Sequence, residues 1–473
     1  MPFRTIGSPA LTAILAGLFL GTSAVVLGIL TVVAGPVISI GAVIGIGAGV
    51  YVLTKLMAGL YAMLAAIALL PFATLPVRVA ITPTFIDLAL GGFLLVYIFQ
   101  WMTRRRPAFR FLPAHALILS FLGAVCFSFV AGLGHAPLTT TVLRQFMEMV
   151  LSIVLAIVLV DVARDPGTLR RIALAIIIFG AAQALVGIGL YLLNDTTTER
   201  ALNALGRFGY PQGGVVRYVE DNPELGERAI GTWVDPNAYG GFLLMVGALA
   251  GVQTLATRPV TGRRWLAALC FALIALAVLL TQSRGAWLAL AAAAAFVALL
   301  RYRWLLILGA LGGVLLLSLP FMHPFVERLS EGLTGADLAT QMRFGEYKDA
   351  LTLIGRYPLI GVGFIGAPDR DIYLGVSSTY LKIASATGLI GLALFGLTMI
   401  ETFRYGLRRW RRLLARPELL SVWLGLAAGL VGALVSGVVD HYYFTLDFHG
   451  AATMLWLYTG LSLATARTAD ETP

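Results

Sequence analysis

Residues 264–300 read RWLAALCFALIALAVLLTQSRGAWLALAAAAAFVALL. Two apolar runs, 265–281 and 285–300, flank a short polar break whose single charge is Arg284. A helix needs roughly 20 apolar residues to cross a bilayer core, where its backbone polar groups must be satisfied internally. The pair therefore reads as two antiparallel spanning helices joined by a tight turn at the membrane surface.

The same reading extends in both directions. The chain of 473 residues is 59% hydrophobic and 12% charged, with a mean hydropathy of +0.88. An ordinary soluble domain is about a quarter charged. Candidate spans run 10–32, 36–54, 56–75, 84–102, 114–133, 144–162 and 171–193, then 238–257, 265–281, 285–300 and 304–321, then 379–400, 420–439 and 447–465. This predicts an all-α, polytopic integral membrane protein of about fourteen transmembrane helices, with residues 1–473 as a single membrane domain. If the Gly-rich 36–54 or the short 285–300 is re-entrant, the count falls to about twelve or thirteen. Apolar character continues from the amino terminus past Val50, so the first run reads as a retained span rather than a cleaved signal peptide.

The net charge of +10 is not spread evenly. One set of short loops carries Arg104, Arg105, Arg106 and Arg110; Arg164, Arg170 and Arg171; Arg258, Arg263 and Arg264; Arg301 and Arg303; and the run from Arg404 to Arg416. The opposite short turns hold Arg78, Arg144 and Arg284. Excess Lys and Arg mark the cytoplasmic side. Both termini are then cytoplasmic, and the two long polar stretches, 194–237 and 322–378, are extracytoplasmic loops. Basic residues distributed this way set topology, so no nucleic-acid partner is expected. Cys126 and Cys270 lie inside apolar segments and read as small core residues.

Several outward-facing residues are candidates for chemistry. Arg284 runs against the positive-inside trend, and an arginine at the membrane boundary is costly unless it snorkels or has a partner. The first loop carries Arg217 and Arg228 and ends in Asp235-Pro236-Asn237. Asp235 reads as a helix N-cap with Pro at the first helical position, and the two arginines are either solvated charges or anion ligands beside that helix start. The second loop contains a helical stretch from Asp337 to Tyr357 with Arg343 and Glu346 at i, i+3 spacing, followed by a tight turn at Gly361-Val362-Gly363. Without a following Lys-Ser/Thr that turn is a weak phosphate-loop signal. Asp440-His441-Tyr442-Tyr443 ends the penultimate span, and His441 is the histidine best placed for acid–base work. The other histidines show no metal-ligand spacing.

Taken in order, five elements resemble the O-antigen ligase/polymerase superfamily of polyprenyl-linked glycan transferases. They are Arg228-x-x-Gly231 through Asp235-Pro236-Asn237, Thr281-x-Ser283-Arg284-Gly285, Arg343-x-x-Glu346-Tyr347-x-x-Ala350, Pro358 to Gly363, and Tyr380-Leu381 leading to Thr387-Gly388-Leu389-Ile390-Gly391. The likeness covers a core of about residues 200–400. The resemblance implies a GT-C-like helical fold in the inner (plasma) membrane and transfer of a glycan from undecaprenyl diphosphate to an acceptor sugar hydroxyl, with no metal, nucleotide or other cofactor. It implies Arg228 and Arg284, with Arg217 and Arg343 as further candidates, as ligands of the donor diphosphate. Guanidinium forks bind such groups bidentately.

Where ligases of the family carry a histidine at the end of the second loop, this chain reads Ser377-Ser378-Thr379-Tyr380-Leu381. Serine alone is a poor base near neutral pH. Of the catalytic candidates Ser377, His441 and Glu346, the last two are therefore preferred as base, and polymerase is preferred over lipid A-core ligase. A transporter of a small anion and a non-catalytic envelope-assembly protein are the competing classes. Acidic residues near span ends (Asp87, Glu148 and Asp161) form no obvious coupling relay for transport.

Overall fold

The computed structural model describes residues 51–75, 82–318, 338–366 and 376–471, together with scattered positions in 17–50 and Ser330. Of the predicted spans, 10–32 and 36–54 lie more than half outside the described residues, and 322–337 and 367–375 of the second loop lie outside them apart from Ser330.

The rest is helical. In chain order the helices are α1 (Leu56–Leu69), α2 (Phe85–Met102), α3 (Pro113–Ala131), α4 (Thr140–Val162), α5 (Pro166–Leu192), α6 (Asp195–Asn203), α7 (Pro236–Leu255), α8 (Arg264–Leu280) and α9 (Arg284–Leu300). They continue with α10 (Trp304–Leu317), α11 (Leu338–Arg356), α12 (Thr379–Arg408), α13 (Trp410–Leu414), α14 (Pro417–Ser436) and α15 (His449–Glu471). A two-residue antiparallel ladder, β1 (Arg217–Tyr218) with β2 (Glu227–Arg228), is the one sheet among the described residues. Seven of the described helices (α2 to α5, α7, α12 and α14) are long and apolar enough to cross a membrane, and α1, α8, α9 and α10 are shorter apolar helices. The protein is an all-α, multi-pass membrane protein.

Local chemistry sets the helix starts. Thr84 and Asp87 exchange side-chain and backbone hydrogen bonds in a capping box at α2. Asp165 and Asp235 each cap a helix whose first residue is proline, satisfying amide donors that the helix itself cannot.

The interior helices are α7, α14 and α15, packed on one another and enclosed by α4, α5, α8 and α9. α15 is buried along nearly its whole length although its sequence is polar for a span. Thr453, Thr459, Thr465 and Thr468 each return their hydroxyl to the carbonyl four residues earlier, which satisfies these four buried groups within the helix. A helix that faces protein on every side need not be apolar enough to face lipid.

Ion pairs collect the arginine-rich loops at one end of the bundle. Arg170 at the start of α5 pairs with Glu418 at the start of α14. Arg409 and Arg412 pair with Asp470 near the end of α15, and Arg467 donates to the carbonyl of Val160 near the end of α4. Asp161 there is buried between Arg106 and Arg164 and accepts from Tyr97.

The loop after α11 fixes that helix against the bundle. α12 breaks at Gly388, whose φ of +70° is open to glycine and costly for other residues. The broken turn receives the 358–363 loop. Val362 and Gly363 donate to the carbonyls of Ser385 and Ala386 (both 2.9 Å), and Leu389 donates to Pro358 (2.7 Å). His135 donates to Val362 from its Nδ1 (2.8 Å). The Gly361-Val362-Gly363 turn is therefore a backbone splice between α11, α12 and α3.

Candidate functional site

At the end away from the arginine-rich loops four segments converge: the β1–β2 ladder, the 281–283 turn between α8 and α9, α11, and the 437–448 loop between α14 and α15. Arg228 is anchored from three sides. Its β-partner is Arg217, and the next residue, Ala229, donates to Leu280 at the end of α8 (2.9 Å). Its Nε donates to the carbonyl of Thr281 (2.9 Å), and a terminal nitrogen donates to Asn237 Oδ1 in the first turn of α7 (2.8 Å). A charge-assisted bond of this kind is about twice as strong as a neutral one, so the guanidinium has a fixed orientation.

Arg284 opens α9, with Ser283 as its N-cap, and contacts Thr340 Oγ1 on α11 at 3.5 Å. Arg343, one turn along α11, pairs with Asp440 Oδ1 at 3.3 Å. Three arginines from three separate elements thus surround one buried carboxylate. Burial pushes Asp440 up to about 7, with Arg343 the strongest opposing influence and Arg228 and Arg284 pulling in the same direction. Arg228 is itself lowered, first by burial and then by Arg343 and Arg284, while Asp235 and Asp440 raise it. Asp440 Oδ2 has no hydrogen-bond partner among the described residues. It sits 2.8 Å from where a Cβ on Gly285 would stand, so glycine at the second position of α9 is what lets the carboxylate approach Arg284's helix.

The predicted base candidates lie around this cluster. Glu346 Oε2 accepts from the backbone amide of Ser377 (2.9 Å), and Tyr347 donates its hydroxyl to the carbonyls of Ser377 (3.1 Å) and Val438 (3.2 Å). Ser377 is thus held through its backbone, and Glu346 and Tyr347 clamp the end of the second loop to α11. His441 follows Asp440 in the chain, and its ring lies edge-on to Phe448, 6.2 Å between centroids. Burial lowers its pKa, and the nearby Lys382 lowers it further. Its Nδ1 has no hydrogen-bond partner among the described residues. A neutral imidazole with an unused ring nitrogen can accept a proton.

The structure therefore brings together Arg228, Arg284, Arg343, Glu346, Ser377 and His441. Arg217 stands apart: it is exposed and lines a neighbouring cavity. Asp235 is the helix cap the sequence predicts, with Oδ1 accepting from Asn237 (2.9 Å) and Ala238 (2.8 Å). It also influences Arg228, Asp440 and His441. Just before it Val234 has φ +63°, a strained conformation for a β-branched residue. Asp440 is the functional candidate that sequence reasoning passed over. The available signal was an acidic residue beside His441, at a span end on the same side as the loops that carry Arg228, Arg284 and Arg343.

With net positive charge and fixed guanidinium forks, the cluster is suited to holding a compact anion and stabilising charge that develops on it. No curated protein matches the chain. Residues 269–396, a segment from α8 into α12 that contains Arg284, Arg343, Glu346 and Ser377, match the family model described as O-antigen ligase.

Proposed function

We propose that the protein is a glycosyltransferase of the inner membrane, with both termini cytoplasmic, that moves a glycan from undecaprenyl diphosphate to an acceptor sugar hydroxyl at the outer face. The observation that carries this reading is the convergence of Arg228, Arg284 and Arg343 on Asp440 at the end of the bundle remote from the arginine-rich loops. The acceptor oxygen attacks the anomeric carbon while the bond from that carbon to the diphosphate oxygen breaks. The electron pair leaves with the diphosphate, and the three guanidinium groups offset the growing charge. The hydroxyl proton passes to a base, for which His441 is the best-placed group. Serine at 377 in place of the ligase histidine favours a polymerase over a lipid A-core ligase.

A deletion strain tests the class of activity. Accumulation of lipid-linked glycan with loss of the longer polymer is expected. Uptake of a small anion by the purified protein in liposomes, with no glycan accumulating in the deletion strain, would assign it to transport instead.

A further inference from the structure

Beside the arginine cluster lies a cavity of about 450 Å³, within the range of about 300–1,000 Å³ usual for small-ligand pockets. Its walls include Phe72, Gln145, Arg217, Asp235, Asp447 and Phe448. We propose that this cavity binds the acceptor saccharide, an inference that rests on the transferase reading above and assigns its second substrate a place.

Three observations support it. The first is charge. The cavity presents Arg217 together with the carboxylates of Asp235 and Asp447. The cavity's other arginine, Arg144, is already engaged by Asp87 (3.0 Å) and Glu148 (3.1 Å). A lining with both donors and acceptors, in which two carboxylates stand beside Arg217, suits a hydroxyl-rich ligand over a diphosphate, which the three arginines next to it suit.

The second is shape and rigidity. Phe72 stands edge-on to Phe448 (6.0 Å), to Tyr210 (6.2 Å) and to Trp233 (6.5 Å), so the apolar wall is fixed in place. Aromatic side chains lining the cavity beside hydrogen-bonding groups match the apolar face and the hydroxyls of a sugar ring. The floor is fixed as well. His449 is buried, and its Nε2 faces the carbonyl of Pro71 (3.0 Å) and Glu148 Oε1 (3.4 Å). Both neighbours are acceptors, so Nε2 carries the proton.

The third is position. Phe448 lines the cavity and also packs against the His441 ring, while Asp235 lines the cavity and influences Arg228, Asp440 and His441. Through Phe448 and Asp235 the cavity adjoins His441 and the arginine cluster, so an acceptor hydroxyl held there would face a donor bound at the arginines.

The test is saturation-transfer NMR on the full-length protein in nanodiscs. The probe is the oligosaccharide released by mild acid from the lipid-linked glycan of the producing cells, freed of diphosphate and lipid. Asp447→Asn and Arg217→Gln change exposed side chains that are not buried in the core. Wild type and Arg284→Ala are expected to bind the saccharide alike, while each cavity variant weakens binding about tenfold, the scale of one lost hydrogen bond to a charged group. Absence of binding to wild type, full binding to both cavity variants, or loss of binding in Arg284→Ala would overturn the proposal. Failure of the transferase reading has a separate signature: no accumulation of lipid-linked glycan in the deletion strain.

Discussion

Arg343 on α11 donates to Asp440 in the loop after α14 across 3.3 Å, and Gly285 at the start of α9 leaves room for the other oxygen of that carboxylate. The pair joins the helix of the second loop to the loop between α14 and α15. Residues in one such network couple by about 0.5–3 kcal/mol. Arg343→Gln and Asp440→Asn should each reduce transfer at least about tenfold, and the double variant should be little worse than the weaker single one. Fully additive losses in turnover would show that the two act independently.

Gly285→Ala tests the fit more finely. The added methyl would stand 2.8 Å from Asp440 Oδ2 and 3.0 Å from Val439 Cγ2. Overpacking of this kind costs about 1–3 kcal/mol. Turnover should fall at least about tenfold in protein that still inserts and elutes normally. Wild-type turnover would show that Asp440 tolerates displacement.

Gly388→Ala should act at a distance. Its Cβ would lie 2.1 Å from the carbonyl oxygen of Leu359, in a backbone conformation that alanine adopts at a cost of about 1–3 kcal/mol. The 358–363 splice would open and α11 would lose its register. Limited proteolysis should then cut near Arg356, where wild type resists, and activity should fall with it. Unchanged protection would mean that the splice is not what seats α11.

Much of this architecture is legible in the sequence. The spans expected at 84–102, 114–133 and 285–300 appear as Phe85–Met102, Pro113–Ala131 and Arg284–Leu300, because the apolar runs are bounded by caps, prolines or arginines. The Asp235-Pro236 cap and the helix in the second loop are legible for the same local reasons. The charge network is less so. Arg343 at i, i+3 from Glu346 suggests a local pair, yet Arg343 reaches Asp440 and Glu346 reaches the amide of Ser377, partners that helix periodicity cannot reveal. Likewise Arg217 and Arg228 are alike in the sequence, yet across the two-residue ladder that pairs them Arg228 bonds Thr281 and Asn237 while Arg217 is exposed and lines the neighbouring cavity.

The pH profile should reflect Asp440. Burial raises this carboxyl to about 7 and Arg343 lowers it, so removing the arginine moves its titration to higher pH. Wild-type turnover should level off just above neutrality. Arg343→Gln should continue to gain activity towards pH 9, where the carboxylate regains its charge. Superimposable normalised profiles would separate Asp440's ionisation from the reaction.

His441→Ala should lose at least about a hundredfold in kcat, since a positioned general base is typically worth about 10²–10⁴-fold, while Ser377→Ala should lose far less. The lowered pKa of the imidazole keeps it neutral, hence able to accept a proton, down to pH values below its ordinary 6.5. Near-normal turnover in His441→Ala would move the role to Glu346.

Orientation is open to direct labelling. Single cysteines at Thr196, in α6, are expected to react with impermeant thiol reagents added to intact cells. Cysteines at Thr261 and Leu407, at the arginine-rich end, should react only after permeabilisation. Labelling of Leu407 in sealed cells would invert the topology and with it the side on which transfer occurs.

The central claim is that fixed guanidinium forks stabilise the departing diphosphate. The measurement is single-turnover glycan transfer by purified protein in liposomes, from a defined undecaprenyl-diphosphate oligosaccharide, comparing wild type, Arg284→Ala and Arg284→Lys with and without EDTA. An ammonium keeps the charge and loses the bidentate geometry. The account predicts transfer by wild type that persists in EDTA, none by Arg284→Ala, and a severe loss in Arg284→Lys. Wild-type rates in Arg284→Ala, or transfer strictly dependent on added Mg²⁺, would contradict it.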